Sequence, residues 1–216
     1  MHQNANVVIR NYRPEDRDAV RSISCETAFL GNHELFFDDD EILADALTKY
    51  YTDYEPESCF VAEVSGGVVG YVIGAVSVAR QETILRGGLY HTLLVKAWKR
   101  GVFFRGKILR FFLRIAVSAA RGEFIAPRFD RAYPASLHIN LREGFRGRDI
   151  GTQLVMHYLS YLRERIIAGV HFGTFSRGGK EFFEKTGFAV LFRGTRSFFR
   201  YQVGSDIPFY IMGKRL

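Results

Sequence analysis

The hydrophobic pattern along the chain changes period several times, and each change marks an element. Val7-Val8-Ile9-Arg10 reads as a first strand. Arg13-Pro14-Glu15-Asp16 then opens a helix. Proline stands in its first turn and two acids lie at the positive end of its dipole. That helix runs to Leu30, where Gly31-Asn32 supplies the stop. A second helix fits Asp38 to Tyr50, with Ile42, Leu43, Ala46 and Leu47 at helical spacing. Two β-rich runs follow, Cys59 to Val64 and Val68 to Gly74, around Ser65-Gly66-Gly67, and predict a β-hairpin.

Beyond the hairpin, Leu89 to Trp98 and Phe103 to Ala120 read as helices. In the second, Lys107, Arg110, Arg114, Ser118 and Arg121 form a polar stripe, with Phe104, Ile108, Phe111, Phe112 and Ile115 mostly opposite. Four basic residues interrupt the apolar run from Val102 to Ala120, which argues against a membrane span. Ser136 to Leu141 is a strand, about Ile150 to Arg165 a helix, Gly169 to Phe175 a strand, and Gly179 to Thr186 a short helix. Phe188 to Phe192 with Phe199 to Val203, and Pro208 to Lys214, read as closing strands. The order β-α-α-β-β, an insert, then β-α-β-α-β-β predicts an α+β domain: a mixed, mostly antiparallel sheet flanked by helices. A chain of 216 residues suits a single domain, 1–216, with the helical insert at about 80–131.

Composition sharpens this picture at three points. Twenty phenylalanines need a core, a pocket or an interface to bury them. The overall charge is +7, yet Arg80 to Arg131 holds twelve Lys and Arg against Glu82, Glu123 and Asp130. That is a net of +9, so the remainder carries about −2. An anionic partner would be sought first on that insert. No nucleic-acid motif accompanies the charge, and a lid, an acceptor-pocket wall or a homodimer face is expected rather than a membrane surface. The polar start, Met1 to Asn6, lacks a basic region followed by an apolar run, so a cytoplasmic protein is expected. Cys25 and Cys59 do not form a metal-binding pair and are expected as small core residues; no metal is expected.

The candidate chemistry lies in Leu141-Arg142-Glu143-Gly144-Phe145-Arg146-Gly147-Arg148-Asp149-Ile150-Gly151-Thr152, between a predicted strand and a predicted helix. Gly147 and Gly151 let backbone approach a ligand closely. The helix start offers free N–H groups, and Arg146 and Arg148 add charge, which together make a pyrophosphate cradle. On the turn alone, an exposed basic turn before an amphipathic helix is the competing reading.

This segment resembles the acetyl-CoA loop of the GNAT superfamily, Q/R-x-x-G-x-G/A. Arg146 stands in the first position and Gly151 in the last, with Asp149 where the middle glycine is usual. Downstream, Phe182-Phe183-Glu184-Lys185-Thr186-Gly187-Phe188 resembles the family's F-Y-E-K-x-G-F run. Tyr133-Pro134-Ala135-Ser136-Leu137-His138-Ile139-Asn140 resembles a Y-P-x-x-L-H-I-[DN] run of bacterial members, including domains related to glycoside-processing enzymes. The resemblance covers most of the chain outside residues 80–131. It implies an acetyl-CoA-dependent N-acetyltransferase acting by direct transfer on an amine, a small molecule or a peptide. It also implies a co-substrate held between two splayed strands. The pantetheine would pair with backbone near Ile139 and Leu141, and the pyrophosphate with N–H groups of Arg146, Gly147, Arg148, Asp149, Ile150, Gly151 and Thr152. The family's usual acid, a tyrosine, is replaced by Phe183. His138 is the candidate base, since an imidazole titrates near neutrality, and Tyr133 the alternative acid. His171, on the facing strand, is read as a core histidine. Phe183 and Asp149 motivate an alternative: a CoA-binding or interaction module impaired in catalysis, or a protein attached to a membrane surface through the basic insert.

Overall fold

The structure, a computed structural model, describes residues 7–216. The polar opening run from Met1 to Asn6 lies outside the described residues. The chain forms β1 (Val7–Asn11), α1 (Arg17–Gly31), α2 (His33–Phe36), α3 (Asp40–Tyr54), β2 (Phe60–Val64) and β3 (Gly67–Ala75). The insert follows as α4 (Val78–Ile84), a five-residue π turn at Leu85–Leu89, α5 (Tyr90–Lys99) and α6 (Gly106–Ala120). The second half is β4 (Ser136–Leu141), α7 (Ile150–Glu164), β5 (Gly169–Thr174), α8 (Arg177–Lys185), β6 (Ala189–Arg196), α9 (Arg200–Val203) and β7 (Ile207–Arg215).

Among the described residues, seven strands make two antiparallel sheets, ordered β1-β2-β3-β4 and β5-β7-β6. They meet at one place, a parallel bridge between Ala135 and Val170. There the Ala135 N–H donates to the Gly169 carbonyl at 3.1 Å and the His171 N–H to the Ala135 carbonyl at 2.9 Å. Past that bridge β4 and β5 separate. The main core fills the far face of both sheets, where Leu154, Val155, Tyr158, Leu159 and Leu162 of α7 pack against Leu137, Val72, Val170 and Met212.

The hairpin forms as expected, with Ser65 and Gly66 both at positive φ, a backbone shape glycine takes without strain. Cys25 and Cys59 are buried thiols without a disulfide, as expected of core residues. Among the described residues no helix is long and apolar enough to cross a membrane. Nor do three or more His, Cys, Asp and Glu side chains cluster to hold a metal.

Three expectations need correction. Phe199 to Val203 is not a strand; it is the short helix α9, ended by Gly204 at φ 80. Its neighbours Phe198 and Phe199 are buried with Phe36 and Phe111, and Phe29 packs against this cluster. The rings of Phe29, Phe36, Phe111 and Phe199 meet with centroids 5.2–6.0 Å apart, so the segment serves as a plug rather than a sheet edge. Second, the insert begins with α4, an additional helix started by Ser77, whose hydroxyl accepts from the Arg80 N–H.

Third, α6 does not sort its faces as the stripe suggested. Ile108 and Phe111 are buried, as is Ser118, whose hydroxyl donates to Glu123. Phe104 and Phe112 are exposed, at 73% and 45%, together with Leu109 and Leu113. Arg110 and Arg114 lie over the Tyr201 ring at 4.9 and 5.9 Å from its centroid. Three of the insert's twelve cations pair with acids of the first half of the fold. Lys96 pairs with Glu41 at 2.6 Å and with Asp45. Arg100 and Arg105 pair with Asp39 at 3.0 and 3.1 Å, and Arg105 with Asp38 at 3.3 Å. The acidic start of α3 is thus the insert's first anionic partner.

Candidate active site

Strand alternation decides which backbone groups face the gap between β4 and β5. Successive residues of a strand turn their N–H and C=O to opposite sides. Ala135 bonds toward β5, and Arg142 bonds back to Val69 of β3 at 2.9 Å. Leu137, Ile139 and Leu141 therefore direct their backbone groups into the gap, and His171 and Gly173 do so from β5. By the same alternation, the side chains of Ser136, His138 and Asn140 stand on the face opposite α7.

Below the open end of the gap lies the loop. A single 3-10 turn, Glu143–Phe145, carries the chain from β4 to Arg146, whose Nε donates to the Leu141 carbonyl at 3.4 Å. Gly147 has φ 73 and Asp149 has φ 63, ψ 0, both left-handed. The position of the family's usual middle glycine thus requires left-handed backbone, and Asp is among the few L-residues that accept it. Its side chain does not cap α7 and is exposed. Among the described residues, no hydrogen bond leaves the N–H groups of residues 147–152. Arg146 and Arg148 are exposed beside them, with Arg148 over the Phe145 ring at 5.3 Å. Gly151 is a close-packing glycine. A Cβ there would sit 3.3 Å from the Phe182 ring and 3.4 Å from Leu141, so the Phe182 ring would have to give by a few tenths of an ångström to admit it.

His138 projects into a cavity of about 820 Å³ on the other side of the sheets. Burial drives its pKa down to about 4, so the imidazole is neutral at pH 7. Asn140 Nδ2 lies 3.2 Å from His138 Nε2 and donates to the Tyr71 hydroxyl at 2.8 Å. An amide N–H₂ only donates, so Nε2 is the acceptor and Nδ1 carries the proton.

A second imidazole opens on the same cavity. His171 Nδ1 lies 2.6 Å from the Tyr133 carbonyl, which can only accept, so Nδ1 is protonated and Nε2 carries the lone pair. Sequence alone reads His171 as a core histidine; the meeting of β5 with β4 brings it to the lining of the cavity that His138 also lines. Tyr133 itself packs against Gly169 and Gly213 near the closed end of the gap and does not line the cavity. Phe183 is buried against Phe172, Phe182 and Phe188, with centroids 4.2, 4.9 and 5.4 Å away, so a core ring stands where the family has its acid.

No family profile and no curated relative matches the chain. Solved structures do match it over nearly its whole length. The protein designated SsHAT is 26% identical, with a TM-score of 0.65, covering 97% of this chain and 98% of that one. The ribosomal-protein-alanine N-acetyltransferase from Brucella melitensis is 16% identical with a TM-score of 0.55, covering 97% and 99%. The acetyltransferase of the GNAT family from Streptococcus pneumoniae is 14% identical with a TM-score of 0.55, covering 98% and 99%. The two sheets parted at one parallel bridge, the loop beneath them and these matches together give one conclusion: the chain has the fold shared by these solved structures, among them an acetyltransferase of the GNAT family.

Proposed function

We propose that the chain is an acetyl-CoA-dependent N-acetyltransferase that moves an acetyl group directly to an amine. The observation that carries the reading is the run of free N–H groups from Gly147 to Thr152 at the start of α7, below the gap between β4 and β5. A pyrophosphate needs several aligned donors, a helix start and nearby cations, and this loop offers all three. The fit is mostly to main chain. Gly147 leaves the approach open, since a Cβ there would meet nothing within 4 Å. Bound acetyl-CoA would supply an activated acetyl thioester. Backbone groups of Ile139 and Leu141 would orient its pantetheine arm, and an N–H near Leu141 would polarise the thioester carbonyl.

The amine must lose a proton as the new N–C bond forms. Two imidazoles face the acceptor side. His138 is neutral, but a pKa near 4 makes it a weak base, and its Nε2 already accepts from Asn140. His171 has its tautomer fixed by the Tyr133 carbonyl and presents Nε2. We assign proton acceptance to His171, with His138 orienting the amine and Tyr133 acting through its carbonyl. The protonated His171 would then hold a proton for the departing sulfur, which removes the need for a tyrosine at position 183.

The test is calorimetric. Thr152→Glu puts a carboxylate among the free N–H groups, and an acid in the first turn of a helix favours folding. The variant should keep its melting temperature and lose CoA binding. Undiminished CoA affinity in the folded variant would refute the assigned cradle.

A further inference from the structure

The cavity's chemistry points to the class of acceptor, an inference that rests on the acetyl-transfer reading. The cavity of about 820 Å³ runs from the parted strands into the insert, between α3, α4, α5 and the start of α6. That volume suits a drug-sized molecule rather than a small polar amine. Its helical end is apolar, lined among others by Ile42, Leu47, Leu89, Leu93 and Ala97.

The polar groups gather at the strand end, and no carboxylate is among them. Gln81 Nε2 donates to the Tyr51 hydroxyl at 3.0 Å. Ser136 Oγ is buried near the Tyr51 hydroxyl and makes no hydrogen bond of good geometry. His138 and His171 complete the set. An orphaned buried hydroxyl carries a desolvation cost that a bound polar group would relieve. Among the described lining residues Asp45 is the carboxylate, and its charge is already matched by Arg21 and Lys96. An alkylammonium entering this space would lose its water and meet no counterion. The mouth is apolar too, for Tyr90, Leu94 and Phe112 both line the cavity and are exposed.

We infer that the acceptor is an uncharged, weakly basic amine on a large apolar body, an aromatic amine, with its nitrogen at Ser136, His138 and His171 and its apolar part between α3 and α5. Polyamines and lysine side chains are excluded by the same argument. The reaction balances simply: the amine nitrogen bonds to the acetyl carbon, the carbon–sulfur bond breaks, and the amine proton ends on the thiol.

The experiment compares 4-butylaniline, uncharged at pH 7, with 4-butylbenzylamine, which is protonated there, and with spermidine. Binding of each is titrated calorimetrically into the full chain, and transfer from acetyl-CoA is followed by thiol release and product mass. The aniline should bind and react at least tenfold better than the benzylamine at pH 7. That gap should close as pH rises toward the benzylamine's own pKa, and spermidine should give nothing. Leu93→Glu should cost the aniline at least tenfold in affinity and leave CoA binding unchanged. Tighter binding or faster turnover of spermidine or the benzylamine at pH 7, or an aniline indifferent to Leu93→Glu in a folded protein, would overturn the assignment. Absence of CoA binding in the same calorimeter would defeat the transfer reading instead. The aniline titration without CoA would still decide the cavity's preference.

Discussion

Asp149 tests the loop at a single atom group. It occupies a left-handed position at φ 63 and exposes its carboxylate next to the free N–H groups of α7. Two effects follow from replacing it. The first is electrostatic. A carboxylate about 6 Å from a phosphate charge, at an effective dielectric of roughly 40 to 80, opposes binding by about 0.7–1.4 kcal/mol. Removing it should tighten CoA about three- to tenfold. The second is conformational. A left-handed L-residue costs roughly 1–2 kcal/mol, less for Asp and Asn, whereas glycine pays about 0.5–1 kcal/mol in chain entropy, so the two nearly cancel. Asp149→Asn removes the charge and keeps the backbone tolerance; Asp149→Gly removes the charge and the strain of a left-handed L-residue. Calorimetry with CoA should show both variants binding about three- to tenfold tighter than the parent, with melting temperatures close to it. The gain should shrink at high salt, as screening predicts. Unchanged or weaker binding in both variants would refute the placement of the pyrophosphate at this loop.

Further outcomes follow from the packing. Gly151→Ala should change stability by no more than about 1 kcal/mol, because the slight crowding of the Phe182 ring is offset by the higher helix propensity of alanine; thermal unfolding measures it. Asp39→Ala removes the acceptor for the Ile42 N–H and the ion-pair partner of Arg100, and leaves Arg105 with Asp38 alone. It should cost about 1–3 kcal/mol and make the insert more readily cleaved in limited proteolysis. His138 takes up a proton near pH 4 in the folded chain and near 6.5 when unfolded. The unfolded state therefore binds more protons between those values, and stability should fall as pH drops through that window. His138→Ala should flatten the window by at most about 3 kcal/mol in denaturant titrations at pH 7 and pH 4.5. His171→Ala should lower the transfer rate and change its pH profile, whereas the same loss with an unaltered profile would make His171 a positioning residue.

The elements were legible wherever local pattern and local structure agree. The hairpin turn, the strand from Ser136 to Leu141 and the helix beginning at Ile150 all emerge from period and turn chemistry alone. Legibility ended where distant residues decide. Phe198-Phe199 reads as strand because aromatic residues favour sheets, yet Phe36 and Phe111, far away in sequence, draw it into an aromatic cluster as the lead-in to a helix. Phe104 and Phe112 read as buried because they share a stripe with Phe111. Their exposure depends on how α6 rolls against α2 and the α9 segment. The insert's charge reads as a surface seeking a partner until Asp38, Asp39, Glu41 and Asp45 are seen opposite it. The loop was readable because free N–H groups, glycines and arginines sit in one short run. The conformational reason for Asp149, and the opening of His138 and His171 on one cavity, required the fold.

The most direct measurement of the central claim is an amide-resolved NMR titration of the chain with CoA. Acetyl-CoA binding in the parted strands predicts saturable shifts of the backbone amides of Ile139, Leu141 and residues 147–152, with β1 and β6 unmoved. Shifts confined to other elements, or none at saturating CoA, would contradict it.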